Sequence, residues 1–407
     1  MWIHGLVALA LASGCRVTAV FHCETDAECD GDAGGRCEAS GYCSWNDETC
    51  PDGRRYDEYA SSDLAGRCIE RVRCFGTGDV RELCFDAPLD ETVSITSRTV
   101  NTALDGGANC TMHVASGGTS VCVISGRTIE VSSGGSLLAF GPDPLVLVAE
   151  QITIDGEVHV DSNRAAMVGA AARAGCAVGI DGANGSSSAG GGGGAGGSFA
   201  VAGADGGQGG PSTMRGIAAG AQAPTSLMGG CSGGHGGGGG GASGGGAGGA
   251  GGGAVALIAS TAIAVAGVVD ASGAGGGAGT AGNGANGGGG GGGAGGMIVL
   301  DAPQITASGT LVANGGGGGG GGGDETSFPG DPGADASAPS TAAAGGSGGE
   351  NGGGDGGDGF ALGSSATTGG NGQNAKCGGG GGGGAPGVIR VYQVAPASLG
   401  GTISPPP

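Results

Sequence analysis

Serines framed as Gly-x-Ser-x-Gly occur at Ser232, Ser243 and Ser347. That frame exposes a nucleophile where a strand turns sharply into a helix. Here all three lie in glycine tracts with no helical periodicity, so no nucleophile elbow is expected. Two carboxylates, Asp155 and Asp161, fall six residues apart on one extended segment and could line a polysaccharide-cleaving groove. Residues 353–361 read Gly-Gly-Asp-Gly-Gly-Asp-Gly-Phe-Ala, which fits a calcium-binding nonapeptide and makes Asp358 a weak calcium candidate. Calcium rolls need tandem copies, and this frame occurs alone. Asp26, Glu28, Asp30 and Gly31 match the start of an EF-hand loop, but its twelfth position is Cys37 in place of a bidentate Glu. The histidines (His4, His22, His113, His159 and His235) are scattered, and no Cys-x-x-Cys occurs, so no zinc-ligand spacing is present. No Gly-Lys-Ser/Thr exists, hence no phosphate loop. These residues predict no catalytic site, no metal site and no cofactor.

Composition limits the remaining classes. Of 407 residues, 109 are Gly, where an average chain has roughly 7%. Aromatics are 3%, too few for an ordinary globular core. The formal charge is −21, which repels nucleic acid and anionic lipid. Residues 1–14 read as a secretory signal, with an apolar stretch too short to span a bilayer. It runs into Ala12-Ser13-Gly14-Cys15, which resembles a bacterial lipobox and predicts lipidation of Cys15. The expected location is the outer-membrane cell surface, held by that lipid alone. The alternative is an ordinary signal peptide and a secreted protein. Of the 14 cysteines, those from Cys23 to Cys84 crowd into 16–88 among polar and turn residues. Exported cysteines normally pair. Eight allow 105 pairings, so this segment is read as a disulfide module whose connectivity stays open: a spacer, or a binding module on the EGF or knottin plan. Cys110 and Cys122 flank Gly117 and Gly118 between two β-type runs, which predicts that they pair. The fates of Cys176, Cys231 and Cys377 stay open.

The elements that would position any site are short strands. Aliphatic runs begin at Val93, Val121, Thr128 and Leu145, each bounded by Gly, Asn, Asp or Pro. Segments starting at Leu145, Val255 and Ile298 are copies of one another. Their columns are Leu145/Val255/Ile298, Leu147/Leu257/Leu300, Ile152/Ile263/Ile305, Gly156/Gly267/Gly309 and Val158/Val269/Leu311. The second copy carries one extra residue after Ser260. Ile389 and Val391 begin a fourth copy that is not completed. Alternating aliphatics with a fixed Gly corner predict a parallel β-solenoid; a β-sandwich is the alternative. Asp155 aligns with Ala266 and Ser308, and Asp161 with Ser272 and Asn314, so no acidic cluster builds up along those columns. Glycine-rich excursions, 164–253, 274–296 and 316–387, leave from roots placed at Asn163, Gly273 and Gly315. Insertions at one phase of a solenoid emerge on one face. Collagen is excluded, since no Gly-X-Y period exists. The arms are either flexible linkers or extended polyglycine strands with polyproline-II dihedrals, hydrogen-bonded to one another.

The resulting expectation is an all-β chain. A signal (1–14) and a Cys-rich module (16–88) precede solenoid segments at 89–163, 254–273 and 297–315. Arms at 164–253, 274–296 and 316–387 interrupt these, and 388–407 closes with a strand and tail. The chain resembles the uncharacterised glycine-rich exported lipoproteins of myxobacteria and their relatives. The likeness rests on the lipobox-like start, Cys50-Pro-Asp-Gly-Arg-Arg-Tyr, Leu64-Ala-Gly-Arg-Cys68, Pro144-Leu-Val-Leu-Val-Ala and Gly229-Gly-Cys-Ser-Gly-Gly. It implies export and no assigned activity. The expected function is non-enzymatic: a surface-anchored structural or adhesive protein whose glycine-rich face meets polysaccharide or extracellular matrix. The alternatives are a carbohydrate-binding or carbohydrate-cleaving solenoid and a calcium-dependent surface-layer component.

Overall fold

The structure, a computed structural model, describes residues 20–407 except 30–33, 39, 51–52, 70–72, 86–88, 104–109, 117–118, 166, 173–179, 211–212, 241–242, 283, 325–327 and 395. The chain divides into two compact units, one running to residue 73 with 85–88, the other comprising 74–84 and 89–407. Both are β-structured. Among the described residues there is no α-helix, only a 3-10 turn at Asp26–Cys29, and no helix is long and apolar enough to cross a membrane.

Cysteines replace aliphatics in the first unit. Cys23, Cys29, Cys43 and Cys50 are among its few buried apolar side chains. Three short strands, β1 (Arg36–Cys37), β2 (Cys43–Asn46) and β3 (Arg54–Tyr56), pair antiparallel. Cys23–Cys37, Cys29–Cys43 and Cys50–Cys68 are bonded across separations of 14, 14 and 18 residues. Each closure contributes about 3 kcal/mol by restricting the unfolded chain, which offsets the small core.

The hairpin of β4 (Arg73–Thr77) and β5 (Arg81–Phe85) is bridged by Cys74–Cys84. By its cysteines the sequence places it in the Cys-rich module, yet residues 74–84 belong to the second unit. The reason is electrostatic. The buried Asp301 carboxylate accepts hydrogen bonds from the Thr77 and Gly78 N–H groups and the Thr77 hydroxyl. Asp79 pairs with Arg390 and accepts the Tyr392 hydroxyl at 2.9 Å.

The second unit is built on a 13-stranded sheet. Its strands are β6 (Thr92–Asn101), β7 (Met112–Ser116), β8 (Thr119–Ser125), β9 (Thr128–Phe140), β10 (Leu145–Ile154), β11 (Glu157–His159), β12 (Ala254–Val265), β13 (Val268–Asp270), β14 (Met297–Asp301), β15 (Gln304–Ala307), β16 (Thr310–Val312), β17 (Val388–Tyr392) and β18 (Thr402–Ser404). Every pairing is parallel except β7 with β8. The register runs Leu145↔Val255↔Ile298↔Ile389 and Ile152↔Ile263↔Ile305, so like side chains stack in one buried core. A register shift between Ala149 and Gln151 absorbs the extra residue of the second copy.

The structure departs from the sequence pattern at two points. The fourth copy is complete: Thr306 bridges Ser398, and Leu311 pairs with Ile403. It escapes notice because Ala397 stands where the earlier copies carry Ile, and one extra residue precedes it. The Gly corner also extends, through Gly156, Gly267, Gly309 and Gly401. A Cβ on Gly267 would lie 1.9 Å from the Gly156 carbonyl oxygen, so stacked backbones leave no room for a side chain. The second departure concerns the roots. Val160 donates to Asp270 and Ser162 to Ser272, which aligns Ser162, not Asn163, with Gly273.

Among the described residues the glycine-rich segments form no β-strand but are densely hydrogen-bonded. In 286–296, Asn286, Gly289, Gly292 and Gly295 donate to Lys376, Gly379, Gly382 and Ala385. Gly287, Gly290, Gly293 and Gly296 donate to Thr280, Gly277, Ala274 and Ala271. Gly288, Gly291 and Ala294 donate to Gly237, Gly234 and Cys231. The same segment accepts from 191–197, 246–252 and 316–322, again at every third residue. Six segments therefore surround it, and the direction of the peptide groups repeats every three residues.

Candidate functional site

Inner and outer segments differ in what they can present. Residues 190–198, 285–296, 313–323 and 377–385 are buried throughout. The six neighbours of 286–296 leave little room for side chains, and the unbroken glycines 287–293 answer that, while small buried residues such as Ala195 and Ala294 are the exceptions. Outer segments have one free direction in three. Along 344–350, Ala344, Ser347 and Glu350 are exposed, while Gly346 and Gly349 are buried. Along 353–358, Asp355 and Asp358 are exposed. At about 3.1 Å per residue for an extended threefold chain, such side chains recur about every 9 Å. Neighbouring segments supply further rows, since Asp331 donates to Ser347, Gly356 to Gly346 and Thr367 to Asp358.

The same geometry leaves outward peptide N–H groups on the outer segments, and short acidic and amide side chains from the next segment accept them. Gly345 and Gly348 donate to Asp358 and Asp355 at 2.8 and 2.7 Å. His235 and Gly238 donate to Asp181 and Asn184 at 2.7 and 2.8 Å. Gly275 donates to Asp335 and Ala218 to Asp205. Sequence reasoning missed this role. Its signal is the spacing of three shared by Asp181/Asn184 and Asp355/Asp358, which matches the period of the segment being capped.

The chemical candidates take the following places. Ser243 is buried, and its hydroxyl donates to the Ala285 carbonyl. Ser232 and Ser347 sit on glycine-rich segments with no helix after them. Asp358, the calcium candidate, is an N–H acceptor. Glu28 accepts the Glu24 and Thr25 N–H groups, which hold its carboxyl below the usual range. Asp26 accepts the Cys37 N–H, and Asp30 lies outside the described residues. Asp155 is exposed. The Asp161 carboxylate pairs with His159. Cys110 and Cys122 are bonded to each other, Cys231 is disulfide-bonded, and Cys377 is a buried free thiol whose pKa burial pushes up. Cys23, Cys29 and Cys37 lie close together, but all three are consumed by disulfides. Cys15 and Cys176 lie outside the described residues.

No protein-family model, curated protein or solved structure matches the chain. The outer glycine-rich segments offer a broad lattice of small polar and acidic side chains on backbones that are fixed by their neighbours. The disulfides of both units belong to a protein that folds in an oxidising, extracytoplasmic setting.

Proposed function

We propose that this is a non-enzymatic structural or adhesive protein of the cell surface. In this reading the stacked copies are a parallel β-solenoid, and the glycine-rich excursions are ordered arms. Each arm runs in extended threefold segments of polyproline-II type, packed side by side as a bundle. The observation that carries the proposal is the three-residue donor period of 286–296 with its six surrounding segments. Polyproline II turns once in three residues and makes no internal hydrogen bonds, so its peptide groups suit lateral pairing. Such a bundle is rigid, and rigidity reduces the ordering cost of binding an extended partner. A row spacing of about 9 Å, continued across neighbouring segments, suits a repetitive polymer such as polysaccharide or matrix better than a small molecule. Lipidation at Cys15 would hold the protein at the outer membrane, with the first unit as spacer.

Co-sedimentation of the full exported chain with insoluble polysaccharides and extracellular matrix tests this. Binding should be lost when Ser347, Glu350 and Asp355 are together replaced by Arg, while Glu28→Gln should leave it unchanged. Equal sedimentation of both variants would discard the face. Release of reducing ends from a bound polysaccharide would convert the protein into a carbohydrate-cleaving enzyme. Binding that appears only with calcium would favour a surface-layer role.

A further inference from the structure

The parallel register brings together groups that the sequence keeps far apart. β11 pairs with β13 so that His159 and Asp270 are direct neighbours. Asp161 follows β11 by two residues, and its carboxylate lies 2.9 Å from His159 Nδ1. One ligand atom each from His159, Asp161 and Asp270 falls within 4.8 Å of the others. Around a tetrahedral ion with bonds near 2.0–2.2 Å, ligand atoms lie about 3.4 Å apart, so small side-chain rotations would close the set.

Two further observations point to a ligand. The other ring nitrogen, His159 Nε2, lies 3.0 Å from the Glu157 carboxylate. A metal-ligating imidazole characteristically donates its second N–H to a carboxylate, which fixes its tautomer and orientation. In addition, Asp270 is 5% exposed, and among the described residues its carboxylate is hydrogen-bonded by Ser272 alone. Asp301, the other buried carboxylate of the sheet, is held by both Thr77 and Gly78. Among the described residues no Lys or Arg pairs with Glu157, Asp161 or Asp270, so one imidazole faces three carboxylates. A buried carboxylate is costly unless it is paired or bound to a cation.

We infer that His159 Nδ1, Asp161 and Asp270 form a three-ligand site for a divalent transition cation of the zinc class, with Glu157 orienting the imidazole. One nitrogen and two carboxylate oxygens suit such an ion, and a water would complete the coordination. The site joins the ends of β11 and β13, where the chain leaves the sheet for 164–253 and 274–296. The bound ion clamps the roots of these two glycine-rich segments together. This stands apart from polymer binding by the outer face.

The experiment is calorimetric titration of Zn²⁺ into the full exported, oxidised chain, with Co²⁺ absorption as the second readout. One ion per chain is expected. His159→Gln and Asp270→Asn should each weaken it by 100-fold or more, and Glu157→Gln by about 10–100-fold. Co²⁺ should give a ligand-field spectrum without a thiolate band. Asp355→Asn with Asp358→Asn controls for the acidic surface and should leave the affinity unchanged. Absence of a stoichiometric site in the unaltered chain overturns the inference, whatever the variants do. Equal affinity in His159→Gln, or a thiolate band implicating Cys377, overturns it as well.

Discussion

Replacing Gly291 by Ala places one methyl group at the centre of the glycine-rich unit. Its Cβ would stand 1.9 Å from the Ala195 carbonyl oxygen, whereas real Cβ atoms essentially never come within 3.0 Å. Segments 286–292 and 191–197 must therefore separate by about 1.1 Å (3.0 − 1.9). The hydrogen bonds flanking the clash, Gly194 to Gly289 at 2.9 Å and Gly197 to Gly292 at 2.8 Å, stretch to about 4 Å and are lost, since a bond needs roughly 2.7–3.2 Å. Each leaves buried groups unpaired at about 1–3 kcal/mol, so Gly291→Ala should destabilise the unit by about 2–6 kcal/mol. Gly244→Ala is the matched control, because the nearest atom to its Cβ is Thr280 Oγ1 at 3.8 Å; it should cost no more than about 0.5 kcal/mol. Amide hydrogen exchange is the assay, since a chain with two units and several disulfides does not guarantee two-state unfolding. Protection of 190–197 and 286–296 should collapse in Gly291→Ala and persist in Gly244→Ala. If these amides exchange at random-coil rates in the unaltered protein, or if the two variants behave alike, the segments are flexible linkers and the packing argument fails.

Other outcomes follow from the same physics. Replacing Cys110 and Cys122 together by Ser should cost about 3 kcal/mol for a loop of 12 residues, read as a lower denaturation midpoint; peptide mapping that finds both thiols free in the native chain would contradict the pairing. Asp358→Asn retains an oxygen acceptor and should leave the Gly345 amide protected, while Asp358→Ala should expose it; equal exchange in both would remove the capping role. Cys377 should resist alkylation until the chain unfolds. Because burial raises its folded-state pKa above the ordinary thiol value of 9.0, the stability it contributes is complete below that value and falls as pH rises above it, measurable as an alkaline decline absent from Cys377→Ser. Cys15→Ser should move the protein from the membrane to the soluble fraction, and a mutant that stays membrane-bound would place the anchor elsewhere.

Much of the sheet was legible in the sequence because its information is carried by side chains. Leu145, Val255 and Ile298 occupy one column, and parallel stacking puts like residues beside like. The fourth copy was hidden where Ala397 replaces an aliphatic. The His159–Asp270 neighbourhood is in principle available from the same alignment, since His159 and Asp270 each follow an aligned valine; it is not visible in the columns of Asp155 and Asp161. The hairpin 74–84 was misassigned because its cysteines resemble those before it, while its partners Asp301 and Arg390 lie more than 200 residues away.

The glycine-rich segments divide differently between sequence and structure. Once the burial is known, the composition makes sense: 287–293, 315–323 and 378–384 are unbroken glycine and are buried, whereas Ala344, Ser347 and Glu350 recur every three residues along an exposed segment. A segment with six backbone neighbours has little space for side chains, and Ala294 is an exception on 286–296; one at the surface has a single free direction per turn. Which segments lie side by side was decided only by the tertiary structure. Glycine carries no shape or charge by which one run could be told from another, so the choice falls to the strand register, which fixes where each glycine-rich segment leaves the sheet and where it returns.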